Sequence, residues 1–90
     1  ADVESAVRYL NAGRPGKGAE FRAAIRDAYR FIRNNPAAGT ACNPPGFRRR
    51  VVSKKFRWLV FWRLRDDSVD IVMVIDGRRD PAVWMSRLEE

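Results

Sequence analysis

Ninety residues, with 18 Lys and Arg against 11 Asp and Glu, a single cysteine and no histidine, exclude several classes of protein at once. There are too few ligands for an ordinary zinc site, no second thiol for an internal disulfide, and no imidazole to serve as general base at neutral pH. A formal charge of +7 with 46% hydrophobic and 32% charged residues describes one folded domain spanning residues 1–90, drawn to polyanions or acidic protein surfaces.

The chain opens on a helix. Asp2 can cap it, and Val3, Ala6, Val7 and Leu10 then fall at i, i+3, i+4 and i+7 as one apolar stripe. Gly13-Arg14-Pro15-Gly16-Lys17 breaks the pattern, and a longer helix is predicted from Gly18 to Asn34. Its stripe is Phe21, Ala24, Ile25, Ala28, Tyr29 and Ile32, with Arg22, Arg26, Asp27, Arg30 and Arg33 on the flanks and back. Asn34-Asn35-Pro36 stops it, because proline disfavours helical geometry in the residue before it. The short connection favours an antiparallel αα-hairpin with its apolar faces turned onto a sheet. Residues 37–46 read as a loop in which Pro44-Pro45-Gly46 makes a stiff entry to the first strand.

Three runs follow with the period of two that marks strands. Arg48–Val52 is cationic and suits a place nearer an edge. Arg57–Leu64 sets Trp58, Val60, Trp62 and Leu64 on one face and Arg57, Leu59, Phe61 and Arg63 on the other. Both of its faces are bulky and apolar, which predicts a central strand covered on each side. After the polar turn Arg65-Asp66-Asp67-Ser68, strict alternation gives Val69, Ile71, Met73 and Ile75 one face and Val72 and Val74 the other. Asp80-Pro81 then starts a short final helix or turn, with Trp84 and Leu88 available to fold back on the sheet. The predicted class is α+β: an N-terminal αα-hairpin packed on a small antiparallel sheet of about three strands, with a short C-terminal helix or turn. The helical hairpin covers one sheet face, while the tail is expected to be too small to cover the other completely. No apolar run approaches the ~20 residues of a membrane helix, and no secretory leader is read, so a cytoplasmic location and no membrane partner are expected.

The order of these pieces carries a resemblance. A helical hairpin ending in Asn-Pro, a Gly/Pro loop, a basic strand, the strand Phe56-Arg57-Trp58-Leu59-Val60-Phe61-Trp62, an Asp-containing turn, an Ile/Val strand and then Arg78-Arg79-Asp80-Pro81 come in sequence. Together they are similar to the ParE/RelE superfamily of toxins from bacterial type II toxin–antitoxin modules, and resemble its ParE branch most. The resemblance covers nearly the whole chain, and the Arg-Arg-Asp-Pro tail after the last strand is its most specific piece. Family members usually begin with a short strand before the first helix, whereas here the helix starts at Asp2, leaving an edge that something else can fill.

The resemblance implies a small toxin held silent by a cognate acidic antitoxin. A ParE-like toxin inhibits DNA gyrase by protein–protein contact, whereas a RelE-like one cleaves ribosome-bound mRNA, and a non-toxic basic adaptor of the same fold is a third reading. Many relatives have His where Asp76 stands, and no tyrosine follows Tyr29. That favours a binder with no catalytic residue, metal or cofactor, and leaves direct contact with nucleic acid open. Target binding is assigned to Arg78, Arg79 and Trp84, and antitoxin binding to Arg48, Arg50, Leu59 and Phe61. Blander roles stand beside these. Arg48 and Arg50 serve equally well as a solvated edge, and Trp84 can close the core instead of anchoring a target. Trp58, Trp62, Tyr9 and Tyr29 are expected to pack in the core or hairpin, and Cys42 to be incidental.

Overall fold

The computed structural model describes residues 2–42, 45–78 and 80–88, apart from the side chains of Asp2 and Ser5. The Asp2 cap, the Pro44 part of the stiff strand entry and the Arg79 part of the target site lie outside the described residues. Helices α1 (Asp2–Gly13) and α2 (Lys17–Asn34) come first, then strands β1 (Thr40–Ala41), β2 (Phe47–Val51), β3 (Trp58–Arg65) and β4 (Ser68–Asp76), and finally helix α3 (Pro81–Leu88). The sheet order is β1-β2-β3-β4, antiparallel throughout, so β3 is paired on both sides as its two apolar faces require. The expected loop over residues 37–46 in fact contains β1, which pairs Thr40 with Arg49 and Ala41 with Arg48. The cationic strand β2 is therefore covered over part of its length, and β4 forms the opposite edge.

The helix ends follow local chemistry. Asn35 leaves helical geometry at φ −140° and its side-chain amide donates to the Phe31 carbonyl at 3.0 Å, closing α2. At the other end the Gly18 N–H donates to Asn11 Oδ1 at 2.8 Å, tying α2 to α1 where the hairpin turns. Asp80 caps α3 through a 2.9 Å bond from the Ala82 N–H, with Pro81 as the first helical residue. In the β3–β4 hairpin, Asp66 takes φ 56°, a conformation that Asp tolerates better than most residues.

The helical hairpin buries its stripe on one sheet face. Val7, Phe21, Ile25, Ala28 and Ile32 meet Val60, Trp62 and Val74, with Leu10 and Trp58 packed alongside. Phe21 stands edge-on to Phe56 and Trp58, with ring centroids 5.3 and 5.2 Å apart. Tyr29 also packs here, but Tyr9 does not: it is 70% exposed. The buried Trp62 donates its indole N–H to the Pro36 carbonyl at 3.0 Å, pulling the chain after α2 down onto β3. Gly39 stands in the same corner at φ 81°, and a Cβ there would lie 2.6 Å from both the Arg49 carbonyl oxygen and the Trp62 ring. Gly39→Ala is expected to cost roughly 1–3 kcal/mol through the left-handed backbone alone. The measurement is the denaturant midpoint at unchanged m-value, and an unshifted midpoint would show that this corner can relax.

The opposite face is covered by the chain itself, against expectation. Leu59, Phe61, Met73 and Ile75 form a second core with Trp84 and Leu88 of α3, and Phe61 has no exposed surface. One turn after Pro81 is enough to bring Trp84 over Phe61, with centroids 5.0 Å apart. The face assignment in β3 holds, but strict alternation in β4 does not. Phe61 pairs with Met73 and Trp62 with Ile71, so Val72 is an extra residue in a β-bulge. Val69 and Ile71 consequently share the hairpin face with Val74, while Met73 and Ile75 lie under α3.

Candidate functional site

One end of the sheet gathers cations. The chain between β2 and β3 is drawn tight: the Val52 N–H donates to the Trp58 carbonyl at 2.7 Å and the Phe56 N–H to Ser53 Oγ at 3.0 Å. This loop buries Phe56 and turns Lys55 and Arg57 outward. Beside it, the Gly77 N–H donates to the Arg57 carbonyl at 3.0 Å, which fixes where Arg78 leaves β4. The turn of the helical hairpin lies at the same end and adds Leu10 and Lys17. Together these elements line a depression of about 240 Å³. Its floor is apolar, from Leu10, Phe56 and Trp58, and its rim carries Lys17, Lys55, Arg57 and Arg78 against the carboxylate of Asp76.

Two of the four cations are already engaged. Arg78 grips Asp76 through Nε at 3.1 Å and Nη2 at 2.7 Å, and its backbone N–H donates to the same carboxylate at 3.0 Å. That hydrogen bond, and then the charge of Asp76, raise the Arg78 pKa above its ordinary value. Lys55 donates to Glu20, which also faces Arg14 at 3.6 Å. The Lys55 hydrogen bond, followed by the charges of Lys55, Arg14 and Lys17, holds the Glu20 carboxyl below its ordinary range. No carboxylate of the described residues pairs with the side chain of Lys17 or Arg57. A carboxylate or phosphate entering the depression would therefore meet two uncommitted donors over an aromatic floor.

The residues singled out from the sequence are distributed over the molecule. Arg78 belongs to the depression, on the side of the helical hairpin. Trp84 is buried on the other side of the sheet, under the Arg49 guanidinium at 5.2 Å from its ring centroid. It holds α3 down and presents no exposed anchor beside Arg78. Arg48 and Arg50 face the hairpin side, opposite to Arg49, as alternation requires. Arg48 donates to the Ala38 and Gly39 carbonyls at 3.4 and 3.3 Å, while the Arg50 guanidinium lies 3.9 Å from the centroid of the Phe31 ring. Leu59 and Phe61 lie beneath α3 on the reverse face. The four residues assigned to the antitoxin thus occupy two faces, and no single partner element meets all of them while α3 is docked. Cys42 is half-buried near Arg48 and Arg49, and burial raises its thiol pKa against the pull of those arginines.

Lys17 and Arg57 were not among the sequence-derived site residues. The available signal was topological: in an antiparallel hairpin laid on a meander, the helix–helix turn and alternate strand connections share one end of the sheet. A protein-family model described as ParE toxin of type II toxin-antitoxin system, parDE, matches residues 1–81, from the start of the chain to the first residue of α3. No curated protein and no solved structure matches the chain.

Proposed function

Since the chain belongs to the ParE toxin family of type II toxin–antitoxin systems, we propose that it arrests bacterial growth by binding DNA gyrase in the cytoplasm, and that a cognate antitoxin keeps it silent. The observation that carries the gyrase reading, beside family membership, is the make-up of the cationic depression. Lys17, Lys55, Arg57 and Arg78 supply charge-assisted donors at neutral pH, and the one lining carboxylate among the described residues, Asp76, is held by Arg78. Such a site recognises an acidic surface well but is poorly equipped to take a proton from a reacting hydroxyl. In this reading Arg57 and Arg78 make the target contact, Arg79 extends it, and Trp84 contributes by fixing α3.

The test is gyrase supercoiling with purified protein. Arg57→Glu orphans no carboxylate partner among the described residues, so the fold should keep its Tm while inhibition requires at least about tenfold more protein. Arg78→Gln should weaken inhibition as well. Unchanged inhibition in both folded variants would remove the depression from the contact.

A ribosome-dependent endoribonuclease is the second reading, favoured by the half-buried Trp58 among the cations of the depression, an arrangement that suits single-stranded nucleic acid. Site-specific cleavage of ribosome-bound mRNA, with supercoiling untouched, would establish it over gyrase binding.

A further inference from the structure

Helix α2 carries a second cationic feature, away from the depression. Arg22, Arg26, Arg30 and Arg33 recur at i, i+4, i+8 and i+11, and all four are exposed. At ~1.5 Å of rise per residue the row runs roughly 16 Å, with one guanidinium for each turn of helix. A groove of about 420 Å³ over Ile25 and Tyr29 lies on one flank of the row, and one of about 260 Å³ over Ala19 and Ala23 lies on the other. The arginines therefore stand up as a ridge. They are unevenly neutralised: Glu4 meets Arg22 at 3.1 Å and Asp27 lies 4.0 Å from Arg26, whereas Arg30 and Arg33 meet no carboxylate among the described residues.

We propose that this ridge is a contact for duplex DNA, its guanidiniums lying on the phosphates of one strand at the mouth of the major groove. The contact rests on α2 alone; that the duplex is the one gyrase holds rests on the reading above. Two features select this partner. Along the ridge the helix offers no large exposed apolar side chain: Ile25 is buried, Tyr29 is half-buried in the hairpin core, and Ala19 and Ala23 are small. The exposed Phe31 of the same helix is taken up by the Arg50 guanidinium. A protein interface draws its affinity from a buried aromatic or aliphatic anchor, which the ridge lacks, whereas a row of phosphates needs only regularly spaced cations. Single strands likewise find no ring to stack on there. The second feature is shape. The major groove of B-form DNA, ~12 Å wide, admits a helix with small residues on its outer side, while the deep, narrow groove of an RNA duplex does not.

The test uses the full chain and a fluorescent 20-base-pair DNA duplex, read by anisotropy as salt is varied. The wild-type protein is expected to bind with a slope of log K against log salt of about −3, as for roughly three or four neutralised phosphates. Arg30→Gln with Arg33→Gln should flatten that slope by about 2 and raise the Kd at least about tenfold at about 0.1 M salt, with Tm unchanged. Arg65→Gln with Arg87→Gln removes the same charge from the β3–β4 hairpin and from α3, across the sheet from α2. That variant should keep the slope and a Kd within about threefold of wild type. Equal losses in the two variants would overturn the placement, since net charge alone would then account for binding. Tighter binding of an RNA duplex or of poly-glutamate, lost in the Arg30 and Arg33 variant, would overturn it in favour of that polyanion. A wild-type protein that leaves the duplex free at low salt yet inhibits supercoiling removes the DNA contact and leaves the gyrase reading standing. Ridge-dependent duplex binding without inhibition does the reverse.

Discussion

Trp62→Ala is expected to destabilise the protein by about 3–5 kcal/mol, the range for emptying a fully buried tryptophan site. For a domain of this size the whole unfolding free energy is roughly 5–13 kcal/mol, so the variant should sit at or near the edge of folding. Two losses add at this position. The ring has no exposed surface and fills the space between α2 and the centre of β3, and its N–H is the bond that secures the Pro36 carbonyl. The Pro36 carbonyl can turn to water once the ring is gone, so most of the cost should be cavity and lost contact. Chemical denaturation followed by tryptophan fluorescence from Trp58 and Trp84 measures it. A loss below about 1 kcal/mol would mean that the chain after α2 collapses into the vacated site, contrary to the packing described.

Trp84→Ala should lose nearly as much contact but lose it differently. The tryptophan and Leu88 are the buried residues of α3, and the helix has no other deep attachment to the sheet. The observed destabilisation is therefore limited by the free energy of docking α3: once the helix detaches, further loss of its contacts costs nothing. The range is again about 3–5 kcal/mol at most, with a distinctive signature. Amides of residues 81–88 should exchange rapidly and the protein should bind a hydrophobic dye through newly exposed Phe61, while amides of α2 stay protected. Uniform loss of protection in both layers would show that the two cores unfold as one unit.

These two tryptophans also mark how far the sequence could be read. Trp62 was legible because its neighbours alternate cleanly and β3 is bulky on both faces. The αα-hairpin was legible because two stripes at helical spacing flank a Gly/Pro break. Trp84 was not assignable, since eight residues of weak pattern say nothing about whether they dock. The β4 bulge was hidden for a different reason: Ile71-Val72-Met73-Val74-Ile75 is apolar at every position, so inserting one unpaired residue leaves the hydrophobic pattern unchanged. Strand β1 was hidden because Thr40 and Ala41 are too short a run to show a period of two and pair only through what β2 offers them. In the candidate site, Arg78 was visible from its place after the last strand. Lys17 and Leu10 were not, because they come from the other end of the chain, and the Asp76 grip on Arg78 depends on the backbone turn between them.

The dependence of the second core on α3 has a consequence during synthesis. The helical hairpin and its sheet face can close as soon as β4 has emerged, but Leu59, Phe61, Met73 and Ile75 must wait for residues that follow them in the chain. At translation rates of ~5–20 residues per second, the interval between Ile75 and Leu88 lasts roughly one to three seconds. Over that interval each nascent chain presents an apolar face that the finished fold conceals. A partner already at hand meets Leu59 and Phe61 as an open surface, whereas one that arrives later must first lift α3.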